Sequence, residues 1–173
     1  MGITSIMSSD LSQAITSEQW DRVLALCQSK PDSAKVWTTR QGLFEGIKDS
    51  NVLPIHEALV GGAPFAIVAA ILTAYPDAVF VKESSYKRLP LHCACRKNAL
   101  MQVAELLLKS HTEAALIADD LGRLPSKCYW RLHGDSSVGR VSHLSSSLVW
   151  LVSFSVDRYS TLRSLQWRER SGH

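Results

Sequence analysis

The 173-residue chain lacks any run of about 20 apolar residues, the length a membrane-spanning helix needs. Its most apolar stretch, L-S-S-S-L-V-W-L-V-S-F-S-V at residues 144–156, is too short, so no membrane span is expected. A dominant charge is lacking too. Nineteen Lys and Arg against sixteen Asp and Glu leave a net charge of +3, whereas nucleic-acid-binding domains carry a strong, clustered basic excess, and no nucleic-acid partner is expected. Cysteine is sparse: Cys27, Cys93, Cys95 and Cys128 do not form a disulfide-scaffold pattern, and C-x-x-C is absent. The first residues carry no basic segment leading into an apolar one, and Ile6 stands where a myristoylation signal needs Ser or Thr. These features lead us to expect a reduced, intracellular, cytoplasmic protein. No G-x-S-x-G elbow, phosphate loop, dinucleotide fingerprint or H-E-x-x-H motif occurs, so neither an enzyme, a cofactor nor a small-molecule substrate is expected.

What is present is a repeat. R-L-P-L-H-C-A-C-R-K-N-A-L-M-Q-V-A-E-L-L-L-K-S at 88–110 has a counterpart in V-L-P-I-H-E-A at 52–58 and another in R-L-P-S-K-C at 123–128. Pro54, Pro90 and Pro125 are thus spaced by 36 and 35 residues, the kind of period that marks stacked units unable to bury an apolar face alone. Proline suits the first helical turn because its φ is preset and it has no N–H to lose. Helices are therefore expected at about 55–60 and 91–97, closed near Gly62 and Asn98, with second helices at about 64–75 and 100–110. Ile67, Val68, Ile71 and Leu72 recur as Val103, Ala104, Leu107 and Leu108 at helical spacing. Each second helix leads into a short apolar run and then a projecting finger, where D-x-x-G-R at 119–123 predicts a tight turn; Ser84 and Lys87 stand at the matching places upstream.

L-P-L-H-C-A-C, V-A-E-L-L-L and D-x-x-G-R-L-P together resemble an ankyrin repeat protein. Pro90, Leu91, His92 and Ala94 match the T-P-L-H-x-A pattern, as do Pro54, His56 and Ala58 with Ile55 replacing leucine. The chain departs from the pattern at Leu53, Leu89 and Leu124, where threonine is usual, in its longer period, and in the third unit, which has Ser126, Lys127 and Tyr129 at the Leu, His and Ala positions. The resemblance implies an all-α fold, a short ankyrin-like helix-pair repeat stack or α-solenoid with finger loops. It also implies that His56 and His92 tie their rings to backbone at a helix start. Function would then be a non-catalytic protein–protein interaction scaffold.

Ser17 to Lys30 reads as a degenerate second helix with Ser17 as N-cap, and the polar, glycine-punctuated stretch from Trp37 to Ser50 as an enlarged finger loop. The expected division is a flexible N-terminus at 1–16, a repeat domain at 17–134 and a serine-rich tail at 135–173 outside the stack, poorly defined in structure. Within that tail Val149 to Val156 is uncharged and strongly β-prone. The expected core is Trp20, Val23, Leu26, Leu59, Val68, Ile71, Leu72, Leu91, Cys95, Val103, Leu107 and Leu108, with Glu57, Arg96, Lys97 and Glu105 wet. Glu57, Cys93 and Cys128 occupy one repeat position and differ, as an outward-facing position would allow. The expected protein-binding residues are Glu57, Tyr86, Lys87, Arg88, Cys93 and Arg96, facing an acidic protein segment with Tyr86 as anchor. Two alternatives remain: a metal- or thiol-dependent protein using His92, Cys93, Cys95 and Cys128, or a fragment of a longer array. Metal binding is disfavoured because C-x-C in a helix points its sulfurs about 200° apart.

Overall fold

The computed structural model describes residues 9–44, 48–97 and 99–125. Helix α1 spans Asp10–Thr16 and is opened by Ser9, whose hydroxyl accepts the Ser12 N–H at 3.1 Å. Helix α2, Trp20–Ser29, follows and runs into a 3-10 turn at Pro31–Lys35. Strands β1, Thr38–Gln41, and β2, Asp49–Val52, come next, then helices α3, Pro54–Val60, and α4, Phe65–Ala74, with a 3-10 turn at Pro76–Phe80. Helices α5, Pro90–Arg96, and α6, Met101–Ser110, repeat that arrangement 36 residues later and end in a third such turn at Thr112–Leu116. Proline occupies the first helical position of both α3 and α5, after an extended leucine at Leu53 and Leu89. The helix boundaries read from the proline period therefore hold to within a residue.

The helices lie in two layers. In one, α3 packs between α1 and α5; in the other, α4 packs between α2 and α6. That placement explains why F-A-I-V-A-A-I-L-T-A in α4 is almost wholly apolar: Ile67, Val68, Ile71 and Leu72 are buried between neighbours. Leu11, Val23, Ile55, Leu59, Leu91, Val103 and Leu107 complete the seal between the layers. Of the expected core, Trp20 and Leu26 are only partly buried and pack against its edge. Among the described residues no helix is long and apolar enough to cross a membrane.

Three expectations are corrected here. The fold is not all-α: β1 and β2 form an antiparallel hairpin in register Thr38↔Val52 to Gln41↔Asp49, so the polar stretch read as a loop is a sheet. Its residues alternate, with Thr38, Ser50 and Val52 buried and Thr39, Gln41, Asp49 and Asn51 exposed, which is the two-residue period of a one-sided sheet in polar letters. The described residues accordingly contain two helix pairs offset by 36 residues and joined to a helical and sheet-bearing start, not a regular helix-pair solenoid. The flexible start is corrected as well, because residues 10–16 form α1, with Leu11, Ala14 and Ile15 buried against α2 and α3. Ser17 closes α1 instead of opening α2. Lys127, Cys128, the rest of the third unit beyond Pro125, and the tail lie outside the described residues.

Candidate protein-binding site

The finger region is built around buried carboxylates. Glu83 is sealed from solvent and accepts the Ser50 hydroxyl at 2.7 Å, the Ser85 N–H and hydroxyl, the Tyr86 N–H at 2.8 Å and the Arg88 N–H at 3.0 Å. Asp119 does the same one unit later, accepting the N–H groups of Leu121 and Arg123 and the side chains of Arg123 and Arg88. Backbone pairs close both fingers at the base, Glu83 N–H to Arg88 O at 3.0 Å and Asp119 N–H to Arg123 O at 2.9 Å. The two are thus the same device at different length. The upstream finger is one residue longer and uses the carboxylate that is one methylene longer. Burial pushes both carboxyls up, but the hydrogen bonds outweigh it and hold both below their ordinary range. For Glu83 the donors are the Ser50 and Ser85 hydroxyls and the Arg88 and Ser85 N–H groups; for Asp119 they are Arg123, by backbone and side chain together with its charge, and the Leu121 N–H.

The turn residue itself has left-handed backbone in both fingers, φ 68° at Gly122 and φ 54° at Lys87. Lys87 adopts without glycine what Gly122 adopts with it, and its side chain is thereby put into solvent. Each finger is bonded to the next: Ser84 N–H to Asn51 O at 3.1 Å, and Asp120 N–H to Tyr86 O at 2.8 Å.

Arg88 lies beneath this surface, 0% exposed. Its Nε donates to Asp119 at 3.3 Å, and its guanidinium carbon sits 4.4 Å from the Tyr86 ring centre and 5.1 Å from that of Phe44. Phe44 meets Tyr86 edge-on at 6.3 Å. Above them Lys48 Nζ stands 5.2 Å over the Tyr86 ring and donates to Ser85 O at 2.8 Å. The outer surface is therefore Lys48, Lys82 and Lys87 around a half-buried Tyr86, with Leu121 exposed on the next finger.

Of the expected binding residues, then, Tyr86 and Lys87 stand together on the fingers, while Arg96 is half-buried at the end of α5. Arg88 is an internal cation. Glu57 and Cys93 are not outward-facing either, at 4% and 0% exposure. Glu57 accepts the Ser12 hydroxyl, the Thr38 hydroxyl at 2.8 Å and Arg40 Nε, which ties α1, β1 and α3 together. Arg40 also donates to Thr16 and Ser12. The expectation that Glu57 is wet is corrected by these partners; Glu105 is half-buried and Lys97 exposed.

His56 and His92 make matching contacts. Each ring accepts a leucine N–H at Nδ1, from Leu53 at 3.3 Å and Leu89 at 3.2 Å, which leaves Nε2 to donate to Val81 O at 3.1 Å and Arg123 O at 3.2 Å. Burial lowers both to about 4, so the rings are neutral. With both nitrogens of His92 engaged by backbone, the ring has no lone pair left for a metal. No group of three or more metal-ligating side chains occurs among the described residues. Cys27, Cys93 and Cys95 are buried, and burial pushes the Cys27 thiol up, away from reactive thiolate character.

Phe44, Lys48 and Glu83 were not singled out by the sequence. Glu83 could have been found by matching it to Asp119 with one residue of slack in the turn. No protein-family model matches the chain, and no curated protein is significantly similar to it.

Proposed function

We propose that the chain is a non-catalytic protein-interaction module whose fingers bind an acidic protein segment. The observation that carries this reading is the grouping of Lys48, Lys82 and Lys87 around Tyr86 on loops that Glu83 and Asp119 hold rigid. Rigid loops lose little entropy on binding, and tyrosine adds contact area with few rotors to freeze. Glu83 and Asp119 are turned inward, while Asp49 and Asp120 stay exposed beside the lysines. The resemblance of the units at 54–80 and 90–116 to ankyrin repeats supports the same reading, since that family binds proteins through such surfaces. Four cysteines without a disulfide-scaffold spacing suit a reducing, intracellular setting, the cytoplasm in this proposal.

The test is titration of the chain with a glutamate-rich peptide, followed by amide chemical shifts. Shifts should concentrate at 48 and 82–88 and weaken with salt. Replacing Lys48 and Lys87 together by Glu should reduce affinity at least tenfold without change in helicity. Unchanged affinity would remove the fingers as the binding surface.

A further inference from the structure

The hairpin and the two fingers form one hydrogen-bonded row, through Ser84 N–H to Asn51 O at 3.1 Å and Asp120 N–H to Tyr86 O at 2.8 Å. Charge changes along that row. Lys48, Lys82 and Lys87 are exposed on the hairpin and the upstream finger, whereas the downstream finger, A-D-D-L-G-R at 118–123, contains no lysine. Its one cation, Arg123, is engaged by Asp119, with Nε donating at 3.1 Å. What the downstream finger presents to solvent instead is Asp120 and Leu121, the leucine 54% exposed. Leu121 is held there by its own turn. Its N–H donates to Asp119 Oδ1 at 3.0 Å, and Gly122 N–H donates to Asp119 O at 2.9 Å. Covering an apolar side chain on a loop already fixed in place gains its transfer from water without the cost of ordering that loop.

We propose that Leu121 is a specificity-determining residue: the acidic segment carries an apolar side chain two residues past its acids, and that side chain seats on Leu121. The inference rests on the finger reading above and adds the chemistry of the segment's other end. Asp120 sets the polarity. A further acid at that end of the segment meets a like charge, whereas an uncharged residue does not, so acids followed by an apolar residue fit the row better than an unbroken acidic run. The spacing follows from the row as well. Hydrogen-bonded neighbours in such a row lie about 4.8 Å apart, and Leu121 is one residue past the bond from Asp120 to Tyr86. The step from the lysines to Leu121 therefore exceeds that distance and suits the roughly 6.6 Å between same-face side chains two residues apart in an extended peptide.

Two probe peptides, E-E-E-S-L and E-E-E-S-S, separate this from the charge reading. The leucine peptide should bind the full chain roughly fivefold more tightly and add amide shifts at 120–122 that the serine peptide lacks. Leu121→Ser keeps the N–H that Asp119 accepts, and should erase the leucine advantage with helicity retained. Equal affinities for the two peptides in the unaltered chain overturn the proposal, as does a leucine advantage that survives Leu121→Ser. In both cases shifts at 48 and 82–88 with E-E-E-S-S leave the charge reading standing. Failure of both peptides to bind overturns the two together.

Discussion

Arg88 meets one carboxylate and two aromatic faces in a site closed to water, so removing the cation and removing its partner have unequal costs. Asp119→Ala strands a buried charge and unties the finger, and should cost about 3–5 kcal/mol in urea unfolding; Arg88→Met, which keeps volume against Phe44 and Tyr86, should cost clearly less. Equal losses would mean that Asp119 acts only as a turn residue. The histidines set a pH dependence. Their folded values near 4 lie below the ordinary 6.5, so between those limits the unfolded chain binds more protons, and stability falls as pH is lowered from about 6.5 to 4. The loss should be on the order of 3 kcal/mol per ring and begin above the range where Glu83 and Asp119 protonate. Replacing His56 and His92 by Gln should flatten that window in unfolding midpoints; an unchanged slope would place the effect elsewhere. The outward reading of Glu57, Cys93 and Arg88 failed for a common reason. Polarity and variation suggest exposure, but a buried position tolerates both where each occupant has its own partners. Glu57 has Arg40, Ser12 and Thr38, which α1 and β1 bring from up to 45 residues away, and no local pattern shows them.

At the scale of elements, the helices were legible because their signals are local: proline at the first position and apolar residues at helical spacing. Leu107 is buried in α6 where that spacing puts it, and Leu107→Ala should cost about 2–5 kcal/mol. The hairpin was not legible. Its buried letters are Thr38 and Ser50 as much as Val52, and their burial depends on Glu57 and Glu83 accepting the hydroxyls. The fingers were half legible: D-x-x-G-R announces its turn, whereas Lys87 hides the same backbone under a residue that disfavours it. Gly122→Ala should therefore lose about 1 kcal/mol through φ alone, since a methyl there meets open space, and Lys87→Gly should gain up to about 1 kcal/mol. A loss on Lys87→Gly in thermal unfolding would show that its side chain stabilises the turn.

For the molecule as a whole, the ties between neighbouring parts are polar and buried at the finger side and apolar between the helix layers. Arg40 with Glu57, Ser50 with Glu83, and Arg88 with Asp119 each join one segment to the next along the chain. Tightening of the fingers is thus coupled to helix placement through His56 and His92, whose rings reach Val81 and Arg123. The pairing of Glu83 with a five-residue span and Asp119 with a four-residue span makes loop length and acid length interchangeable. A turn can gain or lose a residue without redesign if a single codon switches the acid between its long and short forms. The shape of the arc is thus held by where its carboxylate sits and how long that side chain is, not by a fixed number of residues.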